Sequence, residues 1–175
     1  MTQARPDGNH RYRFCPKCGA ELGRSVRWGR ERLVCGTCDF VFFQNPIAGV
    51  AAILIEDGAV LLTLRGDGLG WDLPGGFIEY DEDIYDALRR EMAEETGLEV
   101  GFDGVYDVRS NFHAPDQHTV GVWMLAHRTG GTLAAADDAV DARFFPFDAL
   151  PSESEIAFPT DRLVLARLRE EHARG

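Results

Sequence analysis

Nowhere in this 175-residue chain is there an apolar run long enough to cross a membrane as a helix. The longest, Val50 to Ile55 with its flanking residues, falls far short of the roughly 20 residues required. The first 13 residues are polar and charged, without the apolar stretch of a signal peptide. Positive charge is scarce: 18 Lys and Arg stand against 29 Asp and Glu, a net charge of −11, with five histidines. Such a chain repels phosphate backbones at long range unless bases cluster or cations intervene, so bulk nucleic-acid binding is disfavoured. Internal repeats and low-complexity runs are absent. These absences predict a soluble cytoplasmic protein with no membrane partner, in a compartment where disulfides are rare.

What is present divides into three regions. Residues 1–13 read as a polar lead. Residues 14–45 contain all four cysteines, and residues 46–175 read as alternating strands and helices. With 45% apolar and 27% charged residues, the chain can build an ordinary globular core. Gly49–Ile55 and Ala59–Arg65 suggest a hairpin turning at Glu56-Asp57-Gly58. Asp83 to Thr96, free of Gly and Pro, is the clearest helix, and Gly97 stands where a left-handed residue would stop it. Strands are expected at Glu99–Val108, Thr119–His127 and Arg143–Phe147, with a last helix over Asp161–His172. Ala134–Ala136 is expected in a loop. The order is α/β or α+β with a mixed sheet.

The helix carries the chemistry. Glu91, Glu94 and Glu95 stand at i, i+3 and i+4, so their carboxylates share one face. Three bare carboxylates within a turn repel one another unless cations neutralise them, and hard divalent ions take oxygen ligands. Glu82, just ahead, is placed to reach back toward them. Arg90 can pair with Glu94 or Glu82 and hold these acids in place. Leu88 and Met92 form an apolar stripe that anchors the helix. Before it, Trp71-Asp72-Leu73-Pro74-Gly75-Gly76 offers an aromatic anchor and two glycines that let the backbone turn sharply.

Cys15-x2-Cys18 and Cys35-x2-Cys38 are separated by 16 residues, the spacing of two knuckles closing on one tetrahedral Zn²⁺. Gly19 and Gly36 would permit the tight turns. The alternatives are disulfides or a redox pair, the latter requiring only one Cys-x2-Cys. Arg11, Arg13, Lys17, Arg24, Arg27, Arg30 and Arg32 make this region locally basic. A scaffold or dimerisation role, giving a homodimer, is favoured over nucleic-acid binding.

The stretch from Gly76 to Leu98 resembles the Nudix box, Gly-x5-Glu-x7-Arg-Glu-apolar-x-Glu-Glu-x-Gly-apolar. Gly76, Glu82, Arg90, Glu91, Met92, Glu94, Glu95, Gly97 and Leu98 fill its defined positions. Asp81 departs from the glycine that many members carry there. The resemblance implies an α/β/α sandwich around a mixed sheet, preceded by a zinc ribbon. It implies Mg²⁺ or Mn²⁺ held by Glu82, Glu91, Glu94, Glu95 and the Gly76 carbonyl, with water attacking the phosphorus of a nucleoside diphosphate linked to another moiety. Arg90, Glu91, Glu94 and Glu95 are then the catalytic residues, and Glu94, Asp138 and Asp141 are candidates for the base.

Arg65, Phe112 and His118 are candidate substrate contacts, beside His113 and Asp116; Trp123 is expected in the core. After the box, the hallmark Ser-Gln-Pro-Trp-Pro-Phe-Pro of the NADH pyrophosphatase type is replaced by Val108-Arg-Ser-Asn-Phe-His-Ala-Pro115. The chain is more similar to a shorter ribbon-bearing group active on ADP-ribose or FAD, through Gln44-Asn45-Pro46 and Arg143 to Pro151 with Ala157-Phe158. The alternatives are an NADH or nucleoside triphosphate pyrophosphatase, or a nucleotide-sensing regulator whose ribbon binds nucleic acid.

Overall fold

A computed structural model describes residues 12–114 and 117–174. Most of the polar lead, together with Pro115 and Asp116, lies outside the described residues. The chain divides into two compact units, and among the described residues the first holds those up to Pro46 with Ala114, Gln117 and His118.

In the first unit, strands β1 (Leu22–Arg27), β2 (Arg30–Cys35) and β3 (Val41–Phe42) form an antiparallel sheet in that order. One knuckle precedes β1 and the other follows β2, at the same end of the hairpin, which brings the cysteines together. At the first, Gly19 takes φ +76° and donates its N–H to the Cys15 carbonyl at 2.8 Å. At the second the left-handed residue is Asp39, φ +56°, rather than Gly36. Both knuckles thus place positive φ on the residue after the second cysteine, a conformation that Asp tolerates better than most side chains.

The second unit is a seven-stranded mixed sheet between two helices. Strands β4 (Ile47–Glu56) and β5 (Ala59–Arg65) make the expected hairpin. Its turn is only Asp57-Gly58, both at positive φ (48° and 75°), the mirror-image two-residue geometry that suits strand twist. Two short strands that the sequence did not reveal follow, β6 (Trp71–Asp72) and β7 (Gly75–Phe77). Helix α1 (Ile84–Thr96) leads to β8 (Leu98–Asn111), β9 (Thr119–Gly131), β10 (Ala139–Pro146) and α2 (Pro159–His172). The main order is β10-β5-β4-β9-β8, with β6 on β5 and β7 on β4. The β4–β9 pair is parallel and the other pairs are antiparallel.

Alternation along the central strands separates two cores. Val50, Ala52, Leu54, Leu61 and Met124 pack with Leu88 and Met92 of α1. On the opposite face Ile53, Val60, Leu62 and Trp123 pack with Val164, Leu165 and Leu168 of α2. This is the expected sandwich. Asp83 caps α1 by accepting the Tyr85 N–H at 2.9 Å, and Gly97, φ +67°, ends it. The last-turn carbonyls of Glu95 and Thr96 accept N–H groups from Ala136 and Ala134, at 3.0 and 2.9 Å. The loop carrying the alanine cluster is thereby docked on the helix end, just before Asp138.

Candidate active site

Four of the predicted site residues meet around one guanidinium. Arg90 holds Glu82 bidentately, with Nε and Nη2 each 2.8 Å from a carboxylate oxygen. Its Nη1 donates to Glu91 at 2.8 Å and to Glu94 at 3.1 Å, and Nη2 also reaches the Phe77 carbonyl at 3.2 Å. Glu82 accepts the Glu79 N–H as well, at 3.3 Å. Arg90 therefore pairs with both acids suggested by the sequence and with a third, Glu91. Its planar fork fixes three carboxylates at once.

The two glycines have separate reasons. Instead of a free turn they form β7, paired with Val50 and Ala51 of β4. Gly75 takes φ +150°, and a Cβ there would lie 2.1 Å from the Val50 carbonyl oxygen. A Cβ on Gly76 would lie 2.3 Å from Oε1 of Glu91, so absence of a side chain there makes the cradle for that carboxylate. Glu95 turns to the same strand and accepts the Gly75 N–H at 2.9 Å.

Electrostatics show what these acids lack. Burial lifts the Glu95 carboxyl to about 9; Asp72, Asp138 and Glu91 reinforce this, while the Gly75 N–H opposes it. Burial also raises Glu91 against the pull of Arg90, with Glu94 and Asp138 adding to the rise. The Arg90 bond holds Glu82 below its ordinary value. One arginine thus does not offset the charge that these buried acids would carry once ionised, and a divalent cation with oxygen ligands fits that deficit. Among the described residues the helix glutamates do not converge as tightly as the cysteines do.

The other predicted contacts are more dispersed. Arg65 is already engaged: it pairs with Asp67 at 2.7 Å and with Asp72 at 3.1 Å, and lies 3.9 Å from Asp138. Its guanidinium sits over Phe158, 5.3 Å from the ring centre, and His113 meets the same ring at 5.4 Å. The aromatic ring at Arg65 is therefore Phe158. Phe112 is half-exposed at the end of β8. His118 groups with the first unit. Trp123 is buried as expected, and its indole N–H donates to Asp161 at 3.0 Å. Of the candidate bases, Asp138 contributes to the charge felt by Glu91 and Glu95, while Asp141 pairs with Arg143 on β10.

Sequence reasoning missed a buried acid pair behind the site. Asp72 accepts from Thr63 Oγ1 at 2.8 Å as well as from Arg65, and burial still lifts it to about 6. Asp161, lifted by burial to about 7, also accepts the Leu73 N–H at 3.4 Å. It thus ties α2 to the segment leading into the glycines. The available signal was an aspartate between Trp71 and Leu73 in an apolar context.

The four cysteine sulfurs all lie within 4.8 Å of one another, with Cys15–Cys38 at 3.7 Å and Cys18–Cys35 at 3.5 Å. All are free thiols. A tetrahedron with 2.3 Å metal–sulfur bonds has edges of about 3.8 Å, so the set fits one Zn²⁺. N–H groups of Thr37 and Cys38 bring the Cys35 thiol down to about 6, while Cys38, against the pull of the Phe40 N–H, is pushed up to about 12 by burial and the neighbouring sulfurs.

Comparisons with known proteins agree with this geometry. The model described as NUDIX domain matches residues 45–168, and that described as Nudix N-terminal, a zinc ribbon, matches residues 13–44. The chain is 31% identical over 134 residues to an ADP-ribose pyrophosphatase of Methanocaldococcus jannaschii, covering 73% of this chain and 76% of the relative. It is 28% identical to the NAD-capped RNA hydrolase NudC of Chromobacterium violaceum, over 81% of this chain but 53% of that protein. It thus spans about half of the latter relative's length. A NUDIX hydrolase structure from Nitrosomonas europaea superposes with a TM-score of 0.83 at 28% identity, covering 94% of each chain.

Proposed function

The chain belongs to the NUDIX family and is a hydrolase of that type, and from this we propose that it splits the pyrophosphate of ADP-ribose or a related dinucleotide. Water adds across one P–O bond of the P–O–P bridge, and two monophosphates leave; from ADP-ribose these are AMP and ribose 5-phosphate. The observation that carries the proposal is the gathering of Glu82, Glu91 and Glu94 on Arg90 against the Gly76 cradle, with Glu95 beside them.

Glu82, Glu91, Glu94, Glu95 and the Gly76 carbonyl would hold Mg²⁺ or Mn²⁺. Such an ion would offset charge developing on the phosphoryl oxygens and make water a better nucleophile. Arg90 holds the acids in register, and Asp138, near Glu91 and Glu95, is the favoured loop acid to take a proton from water. The 31% identity to an ADP-ribose pyrophosphatase across three quarters of both chains supports ADP-ribose as substrate. The ribbon match and the likeness to an NAD-capped RNA hydrolase support a second reading, cleavage at an NAD-derived pyrophosphate.

A substrate panel decides between them. ADP-ribose, FAD, NADH, NAD-capped RNA and nucleoside triphosphates would be incubated with Mg²⁺ and with Mn²⁺, and products separated by chromatography. The proposal expects AMP with the highest kcat/KM on ADP-ribose. Release of inorganic pyrophosphate from a triphosphate as the fastest reaction would overturn it.

A further inference from the structure

The hairpin joining β1 to β2 ends in a feature that pyrophosphate hydrolysis does not use. Its two-residue turn is Trp28-Gly29, with φ +50° and +74°. That geometry favours Asn-Gly or Gly-Gly, and a bulky ring at its first position is unfavourable. Trp28 is nevertheless 72% exposed. It stacks on Phe43, centroids 5.5 Å apart and planes 27° from parallel, and Arg32 lies 4.6 Å over the same Phe43 ring.

The charge pattern at the tip is equally specific. Register places Arg27 directly opposite Arg30 across the ladder. Like charges in that relation destabilise a hairpin. Arg27 donates to the Ser25 hydroxyl and the Val26 carbonyl, both uncharged, and among the described residues neither arginine forms an ion pair. Residues 12–46 carry six Lys and Arg against three Asp and Glu, in a chain whose net charge is −11. Cations are thus gathered on the ribbon at a cost to its own stability.

We infer that this tip binds single-stranded nucleic acid, with an unpaired base stacked on Trp28 and the adjoining phosphates held by Arg27, Arg30 and Arg32. A planar aromatic platform interleaved with arginines matches a flat base on an anionic backbone. A duplex keeps its base faces stacked inside and offers the platform nothing. RNA and DNA strands share this chemistry.

The test uses the full chain with zinc bound and Mg²⁺ omitted. Fluorescence anisotropy would follow 12-mers of RNA, DNA and a matching duplex, labelled at the 3′ end and carrying a 5′ hydroxyl, so that no pyrophosphate is offered. Both single strands should bind better than duplex; RNA alone doing so would identify RNA as the source. Trp28→Gly, which relaxes the turn, should weaken binding about ten-fold or more, while Trp28→Phe restores most of it. Zinc content and hydrolysis of small substrates should be unchanged in both. Arg30→Ala should lower the salt dependence by about one phosphate contact. The inference is overturned if Trp28→Gly binds as the parent does, or if duplex binds equally well. It is also overturned if the tip binds only anionic phosphatidylglycerol vesicles, or if Trp28→Gly abolishes self-association of the chain and no strand binds.

Discussion

Replacing Glu95 by Gln tests whether the buried carboxylates await a cation. Gln can still accept the Gly75 N–H, so the variant removes charge and leaves the hydrogen bond to β7. In the folded chain burial lifts Glu95 to about 9 from an ordinary 4.5. The folded value is the higher, so its contribution to stability is fully present below about 4.5 and is lost as pH rises toward 9. Within that window each pH unit costs up to about 1.4 kcal/mol. From pH 6 to pH 8 the parent should therefore lose up to about 3 kcal/mol relative to Glu95→Gln, or roughly 5–10 °C in Tm for a chain of this size. Scanning calorimetry in Mg²⁺-free, zinc-containing buffer reads this directly. Adding Mg²⁺ at pH 8 should stabilise the parent by more than the variant, which keeps Glu82, Glu91 and Glu94 but has lost the buried carboxylate. Parallel Tm curves for the two proteins, or equal Mg²⁺ stabilisation of both, would refute the reasoning.

Arg90→Lys keeps the charge but cannot hold Glu82 bidentately while reaching Glu91 and Glu94, so kcat should fall about a hundred-fold with the fold intact by circular dichroism. Gly75→Ala forces a Cβ to 2.1 Å from the Val50 carbonyl at φ +150°; chemical denaturation should show a loss of several kcal/mol, on the order of an overpacked, strained site. Arg65→Ala strips the buried Asp72 of its cation. It should cost about 2–4 kcal/mol by the same measurement, well beyond an exposed ion pair, and Arg65→Ala/Asp72→Asn should recover much of it.

Much of the site was legible because its logic is local. Glu91, Glu94 and Glu95 lie on one helical turn, and helix periodicity alone puts them together. The cysteine knuckles were legible for the same reason, being short loops with fixed spacing. Helix ends were marked by Asp83 and Gly97. What escaped depends on contacts distant in sequence. Strands β6 and β7 are two and three residues long and exist only through pairing with β5 and β4. Glycine conformational freedom suggested a turn at Gly75-Gly76, whereas the structure uses their lack of side chains for close approach to β4 and Glu91. The Asp72–Arg65 and Asp161–Trp123 pairs join elements as much as 38 residues apart. Arg65 read as a candidate substrate contact, and its pairing with the buried Asp72 follows from the β5–β6 ladder, which only the fold reveals.

The central claim is that the acids around Arg90 serve pyrophosphate cleavage. Glu94 is the clearest place to test it, because its side chain is 46% exposed and its replacement by Gln should not disturb folding. Phosphorus NMR would follow ADP-ribose with Mg²⁺ and either the parent or Glu94→Gln. The account predicts that the parent converts the pyrophosphate resonances into those of two monophosphates, and that the variant slows this at least a hundred-fold with an unchanged Tm. Undiminished conversion by the variant, or none by the parent with Mg²⁺ or Mn²⁺, would contradict it.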